Sequence, residues 1–213
     1  MYESFLSAAK TIPHCERDFA EWHRGASQYG FWAVLVDDPD WLALFEAACS
    51  HVRQFIHPGY RRAPHITVAA CGLLSEGHFS PQLQKRQTTA LTEAKMTPFF
   101  LETGPLDSFT SAPYITVEYP AGSLDQIRSI LAAVSEEDDP ADYKPHITLG
   151  LYRGAFDTSR VANHLSRFRP LPTRSLQVNE LSFCVYETGS IQGPFIVLER
   201  VALNCVHRIY TKK

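Results

Sequence analysis

The chain of 213 residues suffices for one domain, or two small lobes sharing an interface, and its 45% hydrophobic and 20% charged content is that of a soluble globular protein. A formal net charge of −3 excludes a broad basic surface for long nucleic acids, which needs many clustered Lys and Arg, and leaves room for a small anionic ligand. Five scattered cysteines (Cys15, Cys49, Cys71, Cys184, Cys205) fit free thiols rather than a disulfide framework, and with no apolar run near ~18 residues and no basic-then-apolar N-terminus the chain is expected to be soluble and cytoplasmic.

Residues 1–30 are expected to form an N-terminal appendage, helical around Glu16–His23, with Trp22-His23-Arg24-Gly25 as a helix end whose Trp packs on the domain. Val34-Leu35-Val36-Asp37 reads as a strand, and Asp38-Pro39 as the N-cap and first-turn proline of a helix carrying Trp41, Leu44, Phe45, Ala48, Val52 and Phe55. Pro64-His65-Ile66-Thr67-Val68 is a further strand, rich in β-branched residues and opened by a proline where a strand can begin. Ser80-Pro81 opens a helix carrying Leu83, Leu91 and Ala94, and a strand follows near Phe99–Glu102. The second half repeats this order. A strand at Pro113–Glu118 precedes a helix carrying Leu124, Ile127, Leu131 and Val134, opened by Ser123 and Gln126 as a capping box. After an acidic loop at Glu136-Glu137-Asp138-Asp139-Pro140 come the strand Pro145-His146-Ile147-Thr148-Leu149 and a helix from Asp157 carrying Val161, Leu165 and Phe168. Strands near Leu176–Tyr186 and at Pro194–Glu199 close the fold, and residues 205–213 form a tail.

His65 and His146 are 81 positions apart, and at the same offset Val34–Asp37 faces Ile115–Glu118 while Pro113–Glu118 faces Pro194–Glu199. This is an internal duplication of two similar lobes. The expected fold is α+β and bilobal with a pseudo-two-fold axis, its antiparallel sheets lining a central cleft and its helices outside, across residues 31–204 in two interleaved lobes.

Alternate residues of a strand share a face, so His65 stands beside Thr67, and His146 beside Thr148. Two imidazoles and two hydroxyls around one point suit acid–base chemistry on a phosphodiester: one His takes a proton, the other gives one, and the hydroxyls hold phosphate oxygens. One such motif alone is more often a satisfied structural histidine. A core would accept Val or Leu more readily at both places, because buried polar groups need partners.

Two His-x-Thr motifs in matched strands resemble the 2H phosphoesterase superfamily, which includes 2′-5′ RNA ligase-like proteins, cyclic nucleotide phosphodiesterases and 2′-5′ oligoadenylate phosphodiesterases. The resemblance covers roughly residues 31–204. It implies a bilobal fold, metal-independent chemistry without a cofactor, and substrates carrying 2′,3′-cyclic, 1″,2″-cyclic or 2′-5′ phosphodiesters. It makes His65, Thr67, His146 and Thr148 the catalytic residues, with His146 as base and His65 as acid; the residues themselves are symmetric and assign neither role. Many bacterial relatives carry an arginine soon after each His-x-Thr-Leu, where this chain has Ala69-Ala70 and Gly150-Leu151.

Arg61, Arg62 and Lys144 precede the motifs and Arg153 follows the second, each placed to meet a phosphate. Tyr143 and Tyr152 are placed to stack a base. Tyr114 and Phe195, matched in the repeat, are read as core. No His-Glu-x-x-His, Cys-x-x-Cys or Gly-rich phosphate loop occurs, and His51 and His57 share no helix face as metal ligands would. The expected protein is a monomeric phosphodiesterase acting on a nucleotide or short RNA, with neither long nucleic acid nor membrane as partner. Ligation at a 2′-5′ bond and a nucleotide-binding module without turnover are the alternatives.

Overall fold

A computed structural model describes residues 5–15, 17–135, 143–169, 175–190 and 192–203. Glu16, the acidic loop at Glu136–Pro140 and the tail at 205–213 with Cys205 lie outside the described residues. The helices are α1 (Ala20–His23), α2 (Pro39–Val52), α3 (Pro81–Glu93), α4 (Ser123–Ser135) and α5 (Thr158–Leu165). The strands are β1 (Gln28–Leu35), β2 (His65–Leu73), β3 (Phe99–Ser108), β4 (Pro113–Glu118), β5 (His146–Thr148), β6 (Ser175–Val178), β7 (Glu180–Glu187) and β8 (Phe195–Ala202).

The strands form two antiparallel four-stranded sheets, ordered β2-β1-β7-β8 and β5-β4-β3-β6. Local chemistry starts the helices as expected in the first half. The Asp38 carboxylate accepts from the amides of Asp40 (3.0 Å) and Trp41 (3.1 Å), and Ser80 Oγ accepts from Leu83 N (3.2 Å). The capping box at Ser123 does not form: its hydroxyl donates to the Pro120 carbonyl at 2.9 Å, closing the preceding turn instead. α2 buries Trp41, Leu44, Ala48 and Val52, and α4 buries Leu124, Ile127 and Leu131. Gln87 of α3, almost fully buried, ties these layers together. It accepts from Trp32 Nε1 (2.8 Å) and donates to Ser135 Oγ (2.8 Å), which satisfies polar groups that burial would otherwise penalise.

The duplication is visible as β1-α2-β2-α3-β3 followed by β4-α4-β5-α5-β7. The last strand of each half crosses over: β3 completes the sheet of β4 and β5, and β7 completes that of β1 and β2. The match between Pro113–Glu118 and Pro194–Glu199 is not an equivalence of position. β4 lies inside its sheet between β5 and β3, whereas β8 is an edge strand beyond β7, where β6 is its counterpart.

The N-terminal segment is tied to the domain on both sides of its short helix. β1 already begins at Gln28, and α1 has only four residues. Before it, Ile12 N donates to Thr110 O (2.8 Å) and His14 N to Tyr152 O (2.7 Å); after it, Thr188 Oγ1 donates to Ala26 O (2.7 Å). The segment is thus a strap running from the loops of the second half to the ends of β1 and β7. No helix among the described residues is long and apolar enough to cross a membrane.

Candidate active site

The two motif strands, β2 and β5, are edge strands of different sheets, and they lie against each other. Tyr143 and Arg128 close the seam. The Tyr143 hydroxyl donates to the Thr67 carbonyl (2.9 Å), and the buried Arg128 guanidinium donates to the Val68 carbonyl (2.7 Å) while lying 3.9 Å over the Tyr143 ring. These bonds occupy carbonyls on an edge that would otherwise lack partners.

Both histidines are built the same way. Each follows a proline whose carbonyl accepts from a valine amide at 3.1 Å, Val36 to Pro64 and Val117 to Pro145, so the ladder to the neighbouring strand begins one residue before the ring. Each ring then donates Nδ1–H to the carbonyl two residues back: His65 to Ala63 (2.8 Å) and His146 to Lys144 (2.6 Å). That bond fixes the tautomer, and the neutral ring's Nε2 keeps its lone pair for a reacting group. Each ring also meets two aromatic rings, one edge-on and one tilted. Phe195 (5.0 Å, 72°) and Phe31 (5.2 Å, 47°) flank His65; Phe109 (4.9 Å, 79°) and Tyr114 (5.0 Å, 53°) flank His146. Tyr114 and Phe195 are therefore walls of the histidine sites rather than anonymous core. Register pairing across β4 and β5 sets Tyr114 opposite Thr148, which signals this placement only once the sheet order is known.

Burial governs the proton affinity of both rings. His65 is pushed down to about 4, mainly by burial, with the Arg62 guanidinium and His146 adding to the depression against the opposing Ala63 bond. Burial also lowers His146, against the bond to the Lys144 carbonyl. Burial thus favours the neutral form of both imidazoles. The Thr67 and Thr148 hydroxyls share the faces of their histidines and have no hydrogen-bond partner among the described residues.

Among the expected binding residues, Arg62 stands closest to the chemistry. Its guanidinium lies 3.7 Å over the Tyr186 ring, its buried Nε has no partner, and its charge acts on His65. Tyr60 and Tyr186 beside it are pushed up by burial, Tyr60 to about 12, so both hydroxyls remain donors. Lys144 has an exposed side chain and contributes its carbonyl to His146; the Arg61 and Arg153 side chains are exposed. Tyr143 is engaged in the seam rather than presented as a free ring. Tyr152 cannot stack a base: it is 0% exposed, and its hydroxyl bonds Ser108 Oγ at 2.6 Å. Strand regularity was needed to keep it on the His146 face. β5 instead ends at Thr148, and Gly150 turns the chain at φ +153°, where a Cβ would sit 3.0 Å from Ile56. A cavity of about 490 Å³, lined by Leu35, Ala63, Pro64, Asn179 and Phe195 among others, adjoins the His65 side.

The model of the 2′-5′ RNA ligase superfamily matches residues 37–190. No curated protein matches the chain. Among solved structures, LigT of E. coli complexed with 3′-AMP has a TM-score of 0.57 at 18% identity, covering 84% of this chain and 99% of LigT. TT0787 of Thermus thermophilus gives 0.57 at 17% identity, covering 84% and 100%. A conserved protein of unknown function from Agrobacterium tumefaciens str. C58 gives 0.59 at 15% identity, covering 95% and 97%. At these identities the likeness is one of fold.

Proposed function

The chain belongs to the 2′-5′ RNA ligase superfamily, and from that membership and its paired histidines we propose a phosphoryl-transfer enzyme that hydrolyses a 2′,3′-cyclic phosphate or a 2′-5′ phosphodiester without a metal. The observation that carries this reading is the seam between β2 and β5, where two Nδ1-anchored imidazoles stand beside two hydroxyls.

In the reaction, the neutral imidazole takes a proton from water as its oxygen attacks phosphorus. The bond from phosphorus to one ribose oxygen breaks, and the protonated imidazole gives that oxygen its proton. Thr67 and Thr148 donate to the non-bridging oxygens, where charge builds up. Electrostatics favour His65 as base and His146 as acid, the reverse of the order the resemblance implies. The Arg62 guanidinium opposes a proton on His65, whereas burial alone depresses His146 among the causes acting on it; phosphate charge entering the cleft therefore favours a proton on His146 over one on His65.

LigT is solved with 3′-AMP, with ATP and with NADP+, which supports a nucleotide substrate here. In ligation a 5′-hydroxyl takes the place of water: it attacks the 2′,3′-cyclic phosphate, the bond from phosphorus to the 3′-oxygen breaks, and the 3′-oxygen takes the proton, leaving a 2′-5′ bond; the superfamily's name keeps this as the second reading. The deciding experiment incubates the purified protein with 2′,3′-cyclic nucleotides, 2′-5′ dinucleotides and 3′-5′ dinucleotides, with and without chelator. Turnover of the first or second class that survives chelation is expected; binding without turnover of any class would identify a nucleotide-binding module instead.

A further inference from the structure

The cleft face of the first sheet carries a column of rings that the chemistry at the histidines does not use. Tyr29 and Phe31 alternate along β1, and Tyr186 of β7 pairs in register with Tyr29. Tyr186 stacks on Tyr29 at 5.2 Å and 29°, and Trp22 of α1 stacks on Tyr29 at 5.6 Å and 29°. At its inner end the column carries the Arg62 guanidinium on Tyr186, beside His65.

Trp22 is 40% exposed, whereas Trp32 and Trp41 are 0% and 1% exposed. A tryptophan serving only to fill the fold would be covered in the same way, because its burial is a large part of its worth. The strap sets its position. After α1, Arg24 (φ 50°) and Gly25 (φ 86°) reverse the chain in the left-handed region, so that β1 brings Tyr29 beneath Trp22. The acidic groups of this turn already have partners: Glu21 pairs with Arg17, and Asp18 accepts a hydrogen bond from His23 Nε2 at 2.6 Å. Trp22 and Tyr29 lie outside the residues 37–190 that match the superfamily model.

We propose that the column from Tyr186 through Tyr29 to Trp22 is a base-stacking subsite, and that the substrate is a single-stranded oligonucleotide extending past the scissile phosphodiester rather than a mononucleotide. The proposal rests on the phosphodiesterase reading above and specifies its substrate. Arg62 meets a backbone phosphate next to the reacting one, and a base farther along continues the column on the open face of Trp22. Stacking of this kind accepts any base, so the subsite selects length and single-strandedness rather than sequence.

The test measures kcat/KM for one, two, three and four nucleotides, each ending in a 2′,3′-cyclic phosphate, with wild type, Trp22→Ala and Trp22→Phe. Wild type should favour the trinucleotide over the mononucleotide by about ten-fold, the worth of one stacked base. Trp22→Ala should remove that ratio, and Trp22→Phe should keep most of it. A wild-type ratio near one, or an equal ratio in Trp22→Ala, overturns the subsite. Loss of activity spread evenly over all lengths marks Trp22 as structural and overturns it as well. Should wild type turn over none of the series, the phosphodiesterase reading fails, and tryptophan fluorescence then decides the subsite on its own. Saturable quenching by a trinucleotide but not a mononucleotide, lost in Trp22→Phe, supports it; the same response to both lengths, or none, overturns it.

Discussion

His65 heads a strand of nine residues and His146 one of only three, yet the two rings have nearly the same surroundings. Proline, a carbonyl two residues back, threonine two residues on and a pair of aromatic rings recur in both. Beyond the motif the two strands part. Val68-Ala69-Ala70 continues an extended strand, whereas Gly150 turns the chain away. They differ also in charge, because Arg62 stands beside His65. The local constellation was therefore retained while its setting diverged, and the setting supplies an asymmetry that two identical motifs lack.

The sharpest way to break the comparison is to remove one ring at a time. His65→Ala and His146→Ala should each lower kcat by at least ~10²-fold, and the double variant should lose little more than the worse single one, because the rings act on one proton inventory. Near-normal turnover in either single variant would separate that ring from the chemistry. Thr67→Val and Thr148→Val, which remove one oxyanion donor each, should cost roughly 10- to 10²-fold in kcat and leave the thermal midpoint nearly unchanged.

Acid titration probes the electrostatic difference. Between pH 6.5 and about 4 the unfolded state protonates His65 while the folded state keeps it neutral, so stability should fall as pH falls through that window and be flat above it. His65→Asn should flatten the slope of thermal midpoint against pH more than His146→Asn does. Equal flattening would mean that Arg62 does not distinguish the rings. The smallest effect expected is at the seam. Tyr143→Phe deletes the bond to the Thr67 carbonyl and should cost about 1 kcal/mol in denaturant unfolding, with kcat lowered only slightly.

Much of this architecture is legible in the sequence alone. The 81-residue offset locates both histidines, their threonines and the strand order of each half, and the caps at Asp38 and Ser80 are equally plain, because these are local or periodic features of the chain. The hidden part depends on contacts distant in sequence. Phe109 and Phe31 reach the histidines only through sheet pairing, and Arg128 reaches β2 across 60 residues. Tyr152 fails as a stacking residue because its placement assumes a regular strand, and the strand ends at Thr148, four residues short of it. Trp22 is conspicuous in the sequence but reads there as packing, since its partner Tyr29 lies outside the repeat.

The crossing of β3 and β7 bears on how the molecule can be divided. A chain severed in the Phe109–Ala112 turn yields one fragment whose β3 has lost both its neighbours, β4 and β6, and another whose β7 keeps β8 but has lost β1 and, beyond it, β2. Neither piece is a lobe, although the sequence repeat suggests that each should be. The two fragments should show no cooperative melting apart and regain it when mixed. A chain of half this length could build the same cleft only as a homodimer that exchanges its last strand and supplies one histidine from each copy.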